Sequence, residues 1–163
     1  MKRARKAKRR GRSPTTQAGE FVREEMHHIR EGKHGARSTK QAIAIGLSKA
    51  RRAGVDLPPP EKGQTSERTR KSAERALRQG QGEAPKRKPS ARRSRAIERA
   101  LQREPHSAAS HKSLSKQARA AAHRRTAAQR SAAAKRAART KGHAVRVRAA
   151  RKAAKTRAAH GGR

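Results

Sequence analysis

Large apolar side chains are scarce in this sequence, and their scarcity limits how much of the chain can form a packed core. Leu, Ile, Val and Phe together account for 14 of the 163 residues. Chains with less than about one fifth of these residues and a high net charge are typically disordered. The reason is that ordering each residue costs about 1–2 kcal/mol of backbone entropy, which apolar burial must offset. We therefore expect a mostly disordered chain with short α-helices, one helix–loop–helix hairpin and no β-structure.

Charge is distributed unevenly along the chain. There are 47 Lys and Arg residues against 11 Asp and Glu, which gives a formal net charge of +36 at pH 7. All the acidic residues lie between Glu20 and Glu104, so both ends are purely basic. An excess of this size favours binding to polyanions. We therefore predict a nucleic-acid-binding protein of the cytoplasm, located on the nucleoid, with DNA as the favoured partner.

Several other classes of protein are disfavoured by the composition. The chain has no Cys, so it can form neither disulfides nor thiolate metal sites. No apolar run approaches the roughly 18 residues that span a bilayer, and no apolar segment follows the basic N-terminus as it would in a secretory signal. We expect no membrane partner.

Composition and turn residues divide the sequence into four segments. Residues 1–18 are predicted to be a basic disordered tail, and residues 19–54 a helical hairpin. Residues 55–106 read as a Pro/Gly/Ser-containing linker with two short helices. Residues 107–163 form an Ala/Arg/Lys-rich basic tail. Repulsion between like charges four residues apart opposes helix in this tail, so we expect it to be disordered when free and to gain helix on DNA.

The hairpin carries the clearest folding signal. Val22, Met26 and Ile29 recur at helical spacing, and Ser38 begins a capping-box pattern that opens a second helix. At about 36 residues the hairpin is smaller than most domains that fold alone. It therefore needs a partner, a second copy or DNA, and self-association through residues 19–54 is one prediction.

The kind of nucleic acid follows from the near absence of aromatic residues. Proteins that bind single strands rely on aromatic stacking, and Phe21 is the only aromatic residue other than histidine. Its spacing places it in the hairpin core, where it cannot stack on a base. Duplex DNA is therefore the favoured ligand, and structured RNA, including ribosomal RNA, stays an alternative. Thr39, Lys40 and Gln41 occupy the helix N-terminus that reads bases in helix-turn-helix proteins. We favour a capping role for Gln41 and a phosphate contact for Lys40.

The predicted phosphate-binding residues are Lys and Arg side chains in both basic tails and around the hairpin. They are Lys2, Arg3, Arg5, Lys6, Lys8, Arg9, Arg10, Arg12, Arg37, Lys40, Arg51, Arg52, Arg119, Arg124, Arg125, Arg130, Lys135, Arg136, Arg139, Lys141, Arg146, Arg148, Arg151, Lys152, Lys155 and Arg157.

Catalytic and metal sites are not expected. Catalysis requires a positioned nucleophile or acid–base pair in a pocket, and too few apolar residues are present to build one. Glu24 and His28 are four residues apart and could meet on a helix, with His27, His34, Glu25 and Glu31 nearby. No His-Glu-x-x-His pattern accompanies them, and such pairs on exposed helices are usually solvated. We predict no enzymatic activity, no metal and no cofactor.

One segment carries a family resemblance. Residues 38–51 read Ser-x-Lys-Gln-Ala-Ile-Ala-Ile-x-Leu-Ser-x-Ala-Arg. Residues 14–79, which include this segment, resemble a family of small basic bacterial proteins classed as a domain of unknown function. The resemblance implies a bacterial, cytoplasmic origin and no catalytic or ligand residues, and some members are labelled DNA-binding. The C-terminal tail resembles in composition the basic tails of bacterial histone-like proteins.

Two functions are consistent with the sequence. We favour a nucleoid-associated, histone-like protein that binds DNA through phosphate contacts without sequence specificity. The alternative is an RNA- or ribosome-associated interaction protein whose hairpin docks a protein partner.

Overall fold

The computed structural model describes residues 2–85 and 90–160. Parts of three predicted segments, namely residue 1, residues 86–89 and residues 161–163, lie outside the described residues. The chain divides into two compact units, residues 1–117 and residues 118–163. The described residues form seven α-helices and one 3₁₀ helix, η1, and no strand. In chain order they are α1 (Lys2–Arg9), α2 (Pro14–Arg30), α3 (Thr39–Arg52), α4 (Glu67–Gln81), α5 (Ala91–Gln102), η1 (His106–Ala109), α6 (His111–His123) and α7 (Ala127–His160).

The expectation of a mostly disordered chain is wrong, because most described residues are helical. Alanine is the reason. Nine of the fourteen buried hydrophobic residues in the described ranges are alanines, which a count of Leu, Ile, Val and Phe leaves out. Alanine loses no side-chain entropy in a helix, and its small side chain lets helices approach closely. A core can therefore form here from few large residues.

The expectation of disordered tails at both ends is also wrong. Residues 2–18 contain α1 and the start of α2, and residues 107–160 contain the rest of η1, α6 and α7. In α7, 14 of the 34 residues are alanine, the strongest helix former. The helix is capped reciprocally, with the Gln129 amide donating to Thr126 Oγ1 at 3.2 Å and the Thr126 amide donating to Gln129 Oε1 at 3.1 Å. Gly142 adopts φ 69° and interrupts the helix. Helix propensity and capping thus outweigh like-charge repulsion.

Helix α2 begins before residue 19, where the hairpin was predicted to begin. Ser13 caps α2 and Pro14 occupies its first turn, so the helix begins five residues before the predicted segment. Ser38 caps α3 as expected, with its Oγ accepting the Gln41 amide at 3.2 Å. Gly32 has a positive φ after α2 and Gly54 after α3, which is the usual geometry of a helix C-terminus.

The hairpin is covered by other parts of the same chain. Two clusters of buried residues lie along it. The first contains Phe21 and is completed by Ala4 of α1 and by Val55 and Leu57 after α3. The second contains Met26 and Ile29 and is completed by Ala36, Ala42, Ala108 and Ala109.

The 3₁₀ helix η1 accepts hydrogen bonds from both hairpin helices. The Thr39 hydroxyl donates to the Ala108 carbonyl at 2.7 Å, and Arg30 Nε donates to the Ala109 carbonyl at 2.8 Å. The Gly35 amide in the hairpin loop donates to the Leu101 carbonyl at 2.8 Å. Residues far away in sequence therefore supply the packing that a lone 36-residue hairpin lacks.

The α2–α3 crossing depends on a glycine, and this can be tested. A methyl group added at Gly46 would lie 2.7 Å from Val22 Cα, whereas one added at Gly19 of α2 would meet nothing within 4 Å. We expect Gly46→Ala to destabilise the fold by about 1–3 kcal/mol through overpacking. Gly19→Ala is the matched control and should stabilise by up to about 1 kcal/mol through helix propensity. Denaturant titration followed by circular dichroism measures both, and equal effects would contradict the close crossing.

Candidate nucleic-acid interface

The basic N-terminal segment forms α1 and presents two kinds of surface. Ala4 is buried, and the eight predicted cations of this segment are exposed. Lys2 and Arg3 line a groove that also contains Glu20 and Glu24 of α2. A second surface is lined only by basic residues, namely Lys2, Arg5, Lys6, Lys8 and Arg9. This second surface is the part of α1 suited to phosphate.

The N-terminus of α3 is poorly placed to read bases. Thr39 is buried, and its hydroxyl is used by the Ala108 carbonyl. Gln41 Oε1 accepts the Arg37 amide at 2.8 Å, so it caps the helix start. Among the predicted phosphate-binding residues of this region, Arg37, Lys40 and Arg52 are exposed.

Arg51 was predicted to contact phosphate, and the structure places it in the interior instead. The residue is 7% exposed. Its Nε donates to the Leu57 carbonyl and its Nη2 to the Pro58 carbonyl, both at 3.0 Å. Burial lowers the pKa of its guanidinium, although arginine stays charged in proteins. Arg51 therefore holds the segment after α3 against the hairpin and does not belong to the interface.

The second unit carries the largest uncompensated charge. Its fourteen predicted phosphate-binding residues are all exposed, and no acidic residue occurs after Glu104. They are Arg119, Arg124, Arg125, Arg130, Lys135, Arg136, Arg139, Lys141, Arg146, Arg148, Arg151, Lys152, Lys155 and Arg157.

Acidic residues of the first unit, by contrast, pair with neighbouring cations. Glu67 lies 2.7 Å from Arg70 and Glu31 lies 2.9 Å from Lys33. A hydrogen bond from Arg70 lowers the pKa of Glu67, and one from Lys33 lowers the pKa of Glu31. Part of the positive charge of this unit is therefore already neutralised.

The sequence of α7 contains a 16-residue repeat that its composition does not reveal. Residues 127–142 align with residues 143–158 without a gap, and each Lys or Arg of the first copy has a Lys or Arg partner sixteen residues later. Thr140 and Thr156 also align. The signal was present in the sequence, but the abundance of alanine made the segment look like low complexity. The paired cations are Arg130 with Arg146, Lys135 with Arg151, Arg136 with Lys152, Arg139 with Lys155, and Lys141 with Arg157.

The prediction that Phe21 lies in the hairpin core is confirmed. It is 4% exposed and packs in the first cluster of buried residues. Because it is the only Phe, Tyr or Trp in the sequence, the surface offers no such side chain on which a base could stack.

A buried polar cluster joins the hairpin loop to both helices. Glu25 is 1% exposed and receives a hydrogen bond from Lys49 Nζ, and its other oxygen lies 3.2 Å from His34 Nε2. The sequence suggested Glu24 with His28, whereas the structure groups Glu25, His28 and His34, with one ligand atom of each within 4.8 Å of the others. The Lys49 ammonium already neutralises this carboxylate and would repel a divalent cation there. The cluster is best described as an ion pair between the buried Glu25 carboxylate and the partly exposed Lys49 ammonium.

Within the described ranges, none of the helices combines the length and apolar character that a bilayer crossing requires.

Comparison with known proteins gives one match. Residues 5–62 match the model of a family of unknown function, DUF6496. The match covers the last five residues of α1 and all of α2 and α3, and it excludes the second unit. No curated protein and no solved structure matches the chain. The expected resemblance to a small domain of unknown function is thus confirmed in its coarse form, and over residues 5–62 this chain is similar to DUF6496.

Proposed function

We propose that the protein binds duplex DNA without sequence specificity, through contacts between its Lys and Arg side chains and the phosphates. One observation carries the proposal: fourteen exposed cations lie in residues 118–160, and no acidic residue accompanies them. Duplex DNA carries about one negative charge per 1.7 Å of axis, and neutralising phosphates releases condensed counterions. The role is binding, with no catalytic step.

The shape of α7 supports duplex DNA over RNA. None of its described residues is buried, so each half of the helix is accessible around its circumference. An α-helix about 10–12 Å wide fits the B-DNA major groove, which is about 12 Å wide. The major groove of A-form RNA is too narrow and deep for protein side chains to read. The buried position of Phe21 also removes the usual platform for single strands.

Cellular context follows from the same proposal. We propose a bacterial cytoplasmic protein that resides on the nucleoid. The feature that supports this context is a C-terminal composition like that of the basic tails of bacterial histone-like proteins.

The salt dependence of binding tests this function. We expect log K for a duplex to fall linearly with log salt, at about −0.9 for each phosphate contacted, and to be similar for duplexes of different sequence. Fluorescence anisotropy with labelled duplexes, measured at several salt concentrations, gives the slope. Double-stranded RNA of the same sequence is the comparison. A flat salt dependence, or tighter binding to the RNA at equal salt, would overturn the proposal in favour of the RNA-associated alternative.

A further inference from the structure

The break in α7 coincides with the boundary between its two sequence repeats. The first repeat is residues 127–142 and the second is residues 143–158. Gly142, the last residue of the first repeat, has φ 69° and ψ 167° inside an otherwise helical segment, a conformation that is essentially restricted to glycine. A Cβ added there would meet nothing within 4 Å, so close packing does not account for this glycine. The chain therefore carries two short helices of matching cation pattern, joined at one residue.

Each repeat carries the cations of a DNA-contacting helix by itself. The first repeat has five Lys and Arg residues and the second has six, without any acidic residue, and all of them are exposed. Successive residues are rotated by about 100° around an α-helix, so Arg130 and Arg139, nine residues apart, point to opposite sides, as do Arg146 and Lys155. A helix in the major groove meets phosphates on both of its sides. This distribution therefore suits one groove for each repeat.

The length of α7 favours two short helices over one long helix on a duplex. The major groove winds once around the duplex in about 34–36 Å of axis, so it reaches the opposite face within about 17 Å. A straight helix with the 34 residues of α7 would be about 51 Å long and would leave the groove at its ends. A single repeat of 16 residues is about 24 Å long as a helix, which is short enough to remain in one stretch of the groove.

We infer that the two repeats lie in successive stretches of the major groove of one duplex, and that Gly142 is the joint that lets the chain follow the groove. The inference rests on the proposed function, because it describes how α7 lies on the duplex that it binds. Gly142 is a positioning residue, since it has no side chain that could contact a phosphate. Its bend allows the cations of both repeats to reach phosphates at the same time.

The distance between the two repeats on DNA tests the arrangement directly. The sequence has no cysteine, so Ser131→Cys together with Ala154→Cys places one spin label in each repeat of the full-length protein. In a straight helix these positions would lie about 35 Å apart along the axis. We expect double electron–electron resonance on a duplex of about 30 base pairs, roughly three helical turns, to give a clearly shorter distance, because the chain bends at Gly142.

Gly142→Ala tests whether the joint contributes to affinity. Alanine cannot keep the backbone conformation of Gly142 and favours helix, so the variant should straighten α7 without any change in charge. We expect duplex affinity to fall about tenfold or more, with a salt slope shallower by about 0.9 for each phosphate contact that is lost. The slope should approach that of a chain truncated after Gly142, because a straight α7 keeps only one repeat in the groove.

Ser131→Ala is the matched control, since it raises helix propensity within the first repeat and leaves Gly142 in place. It should bind the duplex with wild-type affinity and slope. Circular dichroism measures the helix content of both alanine variants. Equal losses of affinity in the two variants would overturn the inference, because the effect would then follow helix propensity.

Two further outcomes would overturn the inference and leave the proposed function standing. One is a distance of about 35 Å between the labels in the complex with wild-type Gly142, which would show a straight α7 on DNA. The other is wild-type affinity in a Gly142→Ala variant whose label distance shows that it is straight. The distance measured with wild-type Gly142 decides the question even if alanine leaves the helix bent. Absence of duplex binding by the wild type would overturn both the inference and the proposed function.

Discussion

Truncation after Gln117 is expected to lower the affinity for duplex DNA by on the order of a hundredfold or more at physiological salt. The truncation removes 15 Lys and Arg residues and no acidic residue, so the formal net charge falls from +36 to +21. The salt slope should also become shallower by about 0.9 for each phosphate that the shortened chain no longer binds. The boundary between the compact units lies at this position, so the first unit should keep its melting temperature. Anisotropy titration and thermal melting measure the two effects.

A second truncation, after Glu104, is the control for structure. It removes η1 as well, and with it the buried Ala108 and Ala109 and the hydrogen bonds that reach Thr39 and Arg30. Melting of this variant should be clearly lower than that of the Gln117 truncation, while its DNA affinity should be similar because it loses only Lys112 and Lys116 in addition. Unchanged DNA affinity after the Gln117 truncation would place the interface in the first unit, on α1 and around α3.

Replacing Lys49 by methionine is expected to destabilise the first unit by about 1–3 kcal/mol, because the buried Glu25 carboxylate loses the hydrogen bond from the ammonium and keeps only His34 beside it. Glu25 is 1% exposed, whereas the Lys49 side chain is 40% exposed, so the expected loss is smaller than for an ion pair that is buried on both sides. The double variant Lys49→Met with Glu25→Met removes both charges and should recover most of the stability, since apolar pairs of similar volume often replace buried ion pairs at no cost in stability.

The exposed Glu67–Arg70 ion pair provides the control for the Lys49 and Glu25 variants. Glu67→Gln breaks an ion pair in contact with solvent, and such pairs contribute little to stability. Denaturant titration of the four proteins completes the measurement. A Lys49→Met variant as stable as the wild type would show that the Glu25 cluster does not hold the loop between α2 and α3.

Local features of the first unit were predictable because they depend on a few neighbouring residues. Ser38 begins α3 and Gly54 ends it, as capping and left-handed backbone geometry require. The burial of Phe21 follows from its helical spacing, and the purely basic second unit follows from counting charges. With the exception of Arg51, the predicted phosphate-binding side chains are exposed, since an isolated Lys or Arg is expensive to bury.

A count of large apolar residues underestimates how much of this chain is ordered, because alanine supplies most of the buried hydrophobic residues in the described ranges. The chain contains 34 alanines, and alanine contributes both helix propensity and small, closely packed contacts. The apolar cluster that buries Met26 and Ile29 is completed by Ala36, Ala42, Ala108 and Ala109. The apolar spacing within the hairpin gives no sign that Ala108 and Ala109, about 70 residues later, pack against it.

The sequence by itself determined the separation of charge, the starts and ends of α3, and the absence of an aromatic surface, because composition and short-range backbone chemistry suffice for these. Only the tertiary structure decided which polar side chains are interior. Arg51 donates hydrogen bonds to the carbonyls of Leu57 and Pro58, and Glu25 accepts one from Lys49, 24 residues away. A buried charge is stable only where partners converge on it, and that convergence depends on how the helices pack against one another.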